Sequence, residues 1–217
     1  MTNNALAQET ADIDVASFCD VQKTVRVVSS DIRCISSQPK FAGRAHLIIA
    51  KGDFLGVLKA LADARPGDVL VVTAGGERLA CAGELVAQDA AKRGLAGLII
   101  DGYCRDAALI AELDFPVYAR GLTPMAGSSN KLFDAPDQIQ FGNVTVRQHE
   151  IVLGDADGMI VMSDEEYQRN LPNAKAIQDA EAVVKEGMAK GLSLLELTNF
   201  EDHVAAVAGQ ASKFGFK

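Results

Sequence analysis

Between residues 45 and 119 the chain alternates short apolar runs with longer segments whose apolar residues recur at helical spacing. The apolar runs are Ala45-His46-Leu47-Ile48-Ile49-Ala50, Val69-Leu70-Val71-Val72, Leu98-Ile99-Ile100 and Phe115-Pro116-Val117-Tyr118-Ala119. Their near-continuous, β-branched character is that of strands buried on both faces, as parallel strands under crossover helices must be. Between them, Asp53 to Ala64 puts Leu55, Val57, Leu58 and Leu61 on one helical face. A second helix runs from about Glu84 to Arg93 with Leu85, Val86, Ala90 and Ala91 together, and a short third one from Asp106 to Leu113. Arg65-Pro66-Gly67-Asp68 and Gly94 supply the stops, the latter as a C-cap glycine. Strand and helix in strict alternation, joined by short loops, define an α/β fold.

From Gln138 the pattern changes. Ile139, Phe141, Val144 and Val146 suggest strands, and Gly154-Asp155-Ala156-Asp157-Gly158 reads as a hairpin turn between Ile151-Val152-Leu153 and Met159-Ile160-Val161-Met162. Ser163-Asp164-Glu165-Glu166 has the form of a capping box opening a helix with Ile177, Ala180, Val183 and Val184 as its apolar stripe. Ser193-x-x-Glu196 reads as the restart of a short helix after Gly187 and Gly191. The expected organisation is a flexible N-terminus over 1–13, an α/β core over 14–162 and a C-terminal helical extension over 163–217. Such an extension has to pack on its own domain or on a neighbouring subunit.

With 29 acidic and 21 basic residues the net charge is −8, which argues against a broad nucleic-acid-binding face built from clustered cations. No apolar run approaches the roughly 20 residues that span a bilayer, and Met1 to Asp14 has neither a basic nor an apolar signal region. No membrane partner is expected, and the location expected is cytoplasmic. Cys19, Cys34, Cys81 and Cys104 form no C-x-x-C pair, so they read as reduced packing residues rather than zinc ligands or a redox site.

Chemistry-bearing residues gather at the ends of the central elements, where α/β folds place their ligand crevices. Arg105-Asp106 follows the strand ending at Ile100, in a loop expected over Asp101-Gly102-Tyr103-Cys104. Glu84 opens a helix after Gly83, and twenty residues separate it from Arg105. Adjacent strands would bring the two loops to one rim. Free amides at that helix start suit a carboxylate. A hard divalent cation on a carboxylate can chelate a 2-oxo acid and stabilise its enolate, with Arg105 as a second electrophile. On spacing alone, an acid at a helix start more often serves the helix dipole.

The ordered set Gly75-Gly76, Ala82-Gly83-Glu84-Leu85, Ala90-Ala91, Gly94-Leu95-Ala96-Gly97, Asp101-Gly102, Arg105-Asp106, Phe115-Pro116-Val117 and Gly121 adds a further argument. With Phe41-Ala42-Gly43-Arg44-Ala45 and Gly154-Asp155-Ala156-Asp157-Gly158, it resembles one family over roughly residues 40 to 162. That family holds the regulator of ribonuclease activity A and the class II, metal-dependent pyruvate aldolases acting on 4-hydroxy-4-methyl-2-oxoglutarate and 4-carboxy-4-hydroxy-2-oxoadipate. The resemblance implies a compact α-β-β-α sandwich with a swivelling β/β/α-like core, and homotrimers or hexamers with active sites at subunit interfaces. It implies that Asp106 ligates Mg²⁺ or Mn²⁺, that Arg105 binds the pyruvyl oxygens, and that Glu84 holds or activates a metal-bound water as base. Gly83 and the amides of Leu85 and Val86 would receive the pyruvate carboxylate.

The implied activity is cleavage of a 4-hydroxy-2-oxo acid to pyruvate, with oxaloacetate decarboxylation through the same enolate. The alternative is a non-catalytic protein-binding regulator of ribonuclease E. The chain departs from the family in having Glu84 where many members have Asp, Arg147-Gln148-His149-Glu150 before the late hairpin, and Met162 where Pro is common. Gly75-Gly76-Glu77-Arg78 matches no nucleotide-binding loop, and His149-Glu150 lacks the second histidine of a zinc-protease motif.

Overall fold

The computed structural model describes residues 3–207 and 215–216. In chain order the elements are α1 (Asn3–Thr10), α2 (Val15–Val21), β1 (Arg26–Val27), β2 (Arg33–Cys34), β3 (Phe41–Ile49), α3 (Leu55–Asp63), β4 (Asp68–Thr73), β5 (Ala80–Ala82), α4 (Glu84–Lys92) and β6 (Gly97–Cys104). There follow α5 (Ala107–Ala111), β7 (Val117–Leu122), the hairpins β8 (Gln138–Phe141) with β9 (Val144–Arg147) and β10 (Ile151–Asp155) with β11 (Gly158–Met162), then α6 (Asp164–Ala189) and α7 (Phe200–Val207).

The apolar runs become one sheet in the order β1-β11-β10-β3-β4-β6-β7-β2, with β5 branching from β6. Its centre, β3-β4-β6-β7, is parallel; the outer strands β10, β11, β1 and β2 pair antiparallel. Alternation along the strands sorts the core into layers. Leu70, Val72, Leu98, Ile100 and Val117 meet Val57, Leu61, Ala87, Ala90 and Ile110 of α3, α4 and α5. The opposite set, Val69, Val71, Ile99 and Tyr118, faces inward to Ile139, Phe141, Val144 and Val146 of the β8-β9 hairpin and to Val152 and Val161. At the other end Ala42, Ile151, Leu153, Ile160 and Met162 lie under Leu6, Phe18, Tyr167 and Leu171 of α1, α2 and α6. Helices therefore cover both outer sides of a curled sheet, the α-β-β-α arrangement expected. Each fully buried Val, Leu or Ile contributes about 1.5–3 kcal/mol.

The curl is closed from within by Tyr118. Its hydroxyl lies 2.8 Å from the Pro39 carbonyl and 2.7 Å from the Asp155 carbonyl, and its ring stands edge-on to Phe41 at 5.6 Å. The far strands are thus tied to β7 across the interior.

Three expectations change. Residues 3–10, read as part of a flexible lead-in, form α1, because Leu6 is 1% exposed in the core and Asn3 donates to the Asp68 carboxylate at 2.8 Å. Asp101 to Cys104 is not a loop: β6 continues to Cys104 because β5 on one side and β7 on the other both pair with it there. The capping box at Ser163 is present with both reciprocal bonds. However, α6 turns Tyr167, Leu171, Ala174 and Val184 inward and leaves Val183 61% exposed.

Candidate active site

Every element that reaches this site arrives from the carboxyl end of the parallel strands. β5 runs beside the end of β6, and α4 starts immediately after it. The Arg105 amide donates to the Ala82 carbonyl at 3.2 Å, which pins the two exits together. The next residue, Asp106, is left-handed (φ 63°, ψ 39°) and serves as the N-cap residue of α5. A non-glycine residue rarely adopts that conformation, although Asp tolerates it better than most. The turn directs the Asp106 carboxylate back toward the start of α4 rather than onto its own helix, where it makes no capping bond.

α4 has a glycine at its N-cap position and no side-chain cap of its own. Asp106 supplies one from a distance: the Glu84 amide donates to its Oδ2 at 3.3 Å. The Arg105 Nε lies 3.6 Å from the same oxygen. Gly83 makes this approach possible, since a β-carbon there would strike Asp106 Oδ2 and sit 3.0 Å from Arg105 Cγ. The amides of Leu85 and Val86, in the first helical turn, have no intrahelical acceptor. The Glu84 side chain has no ion pair or hydrogen bond among the described residues. Gly83, the Glu84 amide, Arg105 and Asp106 therefore meet at the start of α4, while the Glu84 side chain lines neither of the two clefts beside them.

Arg105 and Asp106 stand between two clefts. One, of about 190 Å³, is mostly apolar, with Phe54, Leu58, Leu85, Val86 and Ala126 in its walls. The other, of about 370 Å³, is bounded by Ala107, Leu122, Thr123 and Pro124. The Ala126 wall belongs to a strap after β7 that sequence reasoning missed. It is held by main-chain bonds: Ala80 N to Met125 O at 2.8 Å, Gly127 N to Ala80 O at 3.0 Å and Ser128 N to Gly52 O at 2.9 Å. Asp53, 1% exposed, anchors it by accepting from Ser128 Oγ and from the amides of Asn130 and Lys131, while also accepting from the Leu55 amide. Burial alone would raise the Asp53 carboxyl, but these donors outweigh it and hold it down at about 2. An aspartate just ahead of a helix was the only sequence signal for this anchor.

Cys81 and Cys104 lie behind the site, 1% and 0% exposed. Burial pushes both thiols up to about 12, and Cys104 Sγ donates to the Ala82 carbonyl at 3.2 Å. They pack rather than react.

The donor set fits a hard cation of the magnesium type. Asp106 keeps Oδ1 free of any protein partner among the described residues, and Glu84 stands at the same helix start. One or two carboxylates with waters suffice for Mg²⁺. No group of three or more His, Cys, Asp or Glu side chains placed to hold a metal occurs among the described residues, so a closed zinc site is not what these residues offer.

The geometry defines an α/β protein whose polar site sits at a helix start on the carboxyl rim of a parallel sheet. Residues 11–161 match the family model described as Aldolase/RraA, and the chain belongs to this RraA-like family. It is 35% identical over 153 residues to the "Putative 4-hydroxy-4-methyl-2-oxoglutarate aldolase" of Halalkalibacterium halodurans, covering 70% of this chain and 73% of that protein. A protein of the same name from Aromatoleum aromaticum is 30% identical over 152 residues, covering 69% and 96% of the two chains. The solved structure of the RNA-processing inhibitor RraA from Thermus thermophilis superposes with a TM-score of 0.65 at 24% identity, over 69% of this chain and 92% of that one. No helix among the described residues is long and apolar enough to cross a membrane.

Proposed function

We propose that this chain is a metal-dependent lyase that cleaves a 4-hydroxy-2-oxo acid, of the 4-hydroxy-4-methyl-2-oxoglutarate type, to pyruvate and a second carbonyl compound, and that it also decarboxylates oxaloacetate. The observation that carries the reading is the convergence of Asp106 and Arg105 on the glycine-led start of α4.

The substrate carboxylate lies against the Leu85 and Val86 amides, where the helix end favours negative charge. The Asp106 carboxylate would hold Mg²⁺ or Mn²⁺, which when bound would supply Lewis-acid polarisation of the 2-oxo group. Arg105 offers its guanidinium to the oxygen that gains charge as the C3–C4 bond breaks. Glu84 takes up the proton of the C4 hydroxyl through a water, the C4–O bond becomes a carbonyl, and the bonding pair passes to C3. Protonation of C3 then gives pyruvate. The assembly proposed is a homotrimer or hexamer that covers the site, a reading supported by the exposure of Leu85 (73%), Met125 (63%) and Leu109 (54%) around it.

The test is pyruvate release from oxaloacetate and from 4-hydroxy-4-methyl-2-oxoglutarate, with Mg²⁺ or Mn²⁺ and with chelator. Arg105→Ala and Asp106→Ala should each lower the rate roughly 10²–10³-fold; rates within a few-fold of the parent would remove these residues from the mechanism. A non-catalytic regulator of ribonuclease E, the alternative, has no use for Glu84 at this point and would show no metal-dependent release.

A further inference from the structure

The two clefts flanking Arg105-Asp106 invite separate assignments for the two halves of the substrate. The inference rests on the lyase reading above. Gly83, Leu85 and Val86, whose main chain opens α4, line the apolar cleft of about 190 Å³, and the pyruvyl half is assigned to it. The C4 half then extends past Arg105 and Asp106 into the cleft of about 370 Å³.

Thr123 stands in the wall of that second cleft. Its amide donates to the Cys104 carbonyl at 3.0 Å, which fixes it directly beside Arg105. Its Oγ1 accepts from the Met125 amide at 3.4 Å. A hydroxyl that already accepts keeps its own proton to donate, and no described residue receives it. Leu122 and Pro124 on either side give an apolar surround for a substituent on C4.

We propose that Thr123 is a substrate-binding residue for the carbonyl-forming half, its hydroxyl donating to the C4 oxygen. In cleavage this bond steadies the oxygen as it gives up its proton; in the reverse, condensing direction it polarises the incoming aldehyde or ketone. The pyruvyl half gains nothing from it.

Two reactions separate the halves. Cleavage of 4-hydroxy-4-methyl-2-oxoglutarate uses both clefts, whereas exchange of the pyruvate methyl protons with solvent deuterium, followed by NMR, uses the pyruvyl cleft alone. Thr123→Val, which keeps the shape and removes the hydroxyl, should lower kcat/KM for cleavage roughly 3- to 10-fold, the worth of one neutral hydrogen bond. The exchange partial reaction should stay within about twofold of the parent by the same argument. Thr123→Ser, which restores the donor, should recover cleavage. Cleavage by Thr123→Val at the parent rate, or a loss of exchange in step with cleavage, would overturn the assignment. A parent protein inert in both reactions would overturn the lyase reading and this assignment together.

Discussion

Gly83→Ala isolates the geometry of the site from the chemistry of its side chains. Gly83 has φ −157° and ψ −166°, extended backbone open to any residue, so alanine meets no conformational penalty there. The added methyl instead collides with Asp106 Oδ2, and it lies 3.0 Å from Arg105 Cγ and 3.4 Å from Arg105 Nε. Relief requires Asp106 to retreat by roughly 1 Å to reach ordinary contact distance. A displacement of that size at a reacting centre costs about 10²-fold in rate. The fold loses less: alanine is a poorer N-cap than glycine, and tight packing adds strain, together about 1–3 kcal/mol. The assay is kcat/KM for metal-dependent pyruvate release beside a thermal melt. A cooperative melt with a rate near 1% of the parent is expected. A folded Gly83→Ala protein within a few-fold of parental activity would refute the placement of Asp106 against the start of α4.

Three further outcomes follow from the same fold. The Asp53 carboxyl is held at about 2 against an ordinary 3.8; the stability it contributes is complete above the higher value and is lost as pH falls toward the lower. Comparison of melting temperatures for the parent and Asp53→Ala should give a difference that shrinks between those two pH values, and a constant difference would refute the linkage. Cys81 and Cys104, with thiols pushed up to about 12 and at most 1% exposed, should resist a disulfide-exchange reagent in the folded protein while reacting once it is unfolded. Tyr118→Phe removes the one hydroxyl proton that the Pro39 and Asp155 carbonyls share and should cost about 1–3 kcal/mol by denaturant unfolding; a value near zero would mean that the hydroxyl does not tie the curl.

Much of the fold was legible where burial dictates sequence. Val69 to Val72 and Leu98 to Ile100 are strands because both faces are covered, and the Glu84 helix begins and ends within a residue of its expected limits. The edge strands β1 and β2, two residues each, and the three-residue β5 carry no periodicity long enough to read. Gly102 misled in a different way. It looked like the exit of β6, yet it is there because a β-carbon would strike Ala74. The approach of the Glu84 amide to Asp106 was foreseeable from two loops at adjacent strand ends. The strap was not: it is held chiefly by peptide groups, which every sequence shares.

That mode of attachment has a bearing on how such proteins diversify. Residues 122 to 126 hold their place mainly through amides and carbonyls, with Asp53 anchoring the chain just beyond them. Their side chains are consequently free to change without loosening the backbone that presents them. A lineage could exchange Leu122, Thr123 or Met125 one at a time, altering what fits beside Arg105 while the scaffold and its carboxylate stay fixed. New preferences would then arise by small steps on an intact framework rather than by rebuilding it.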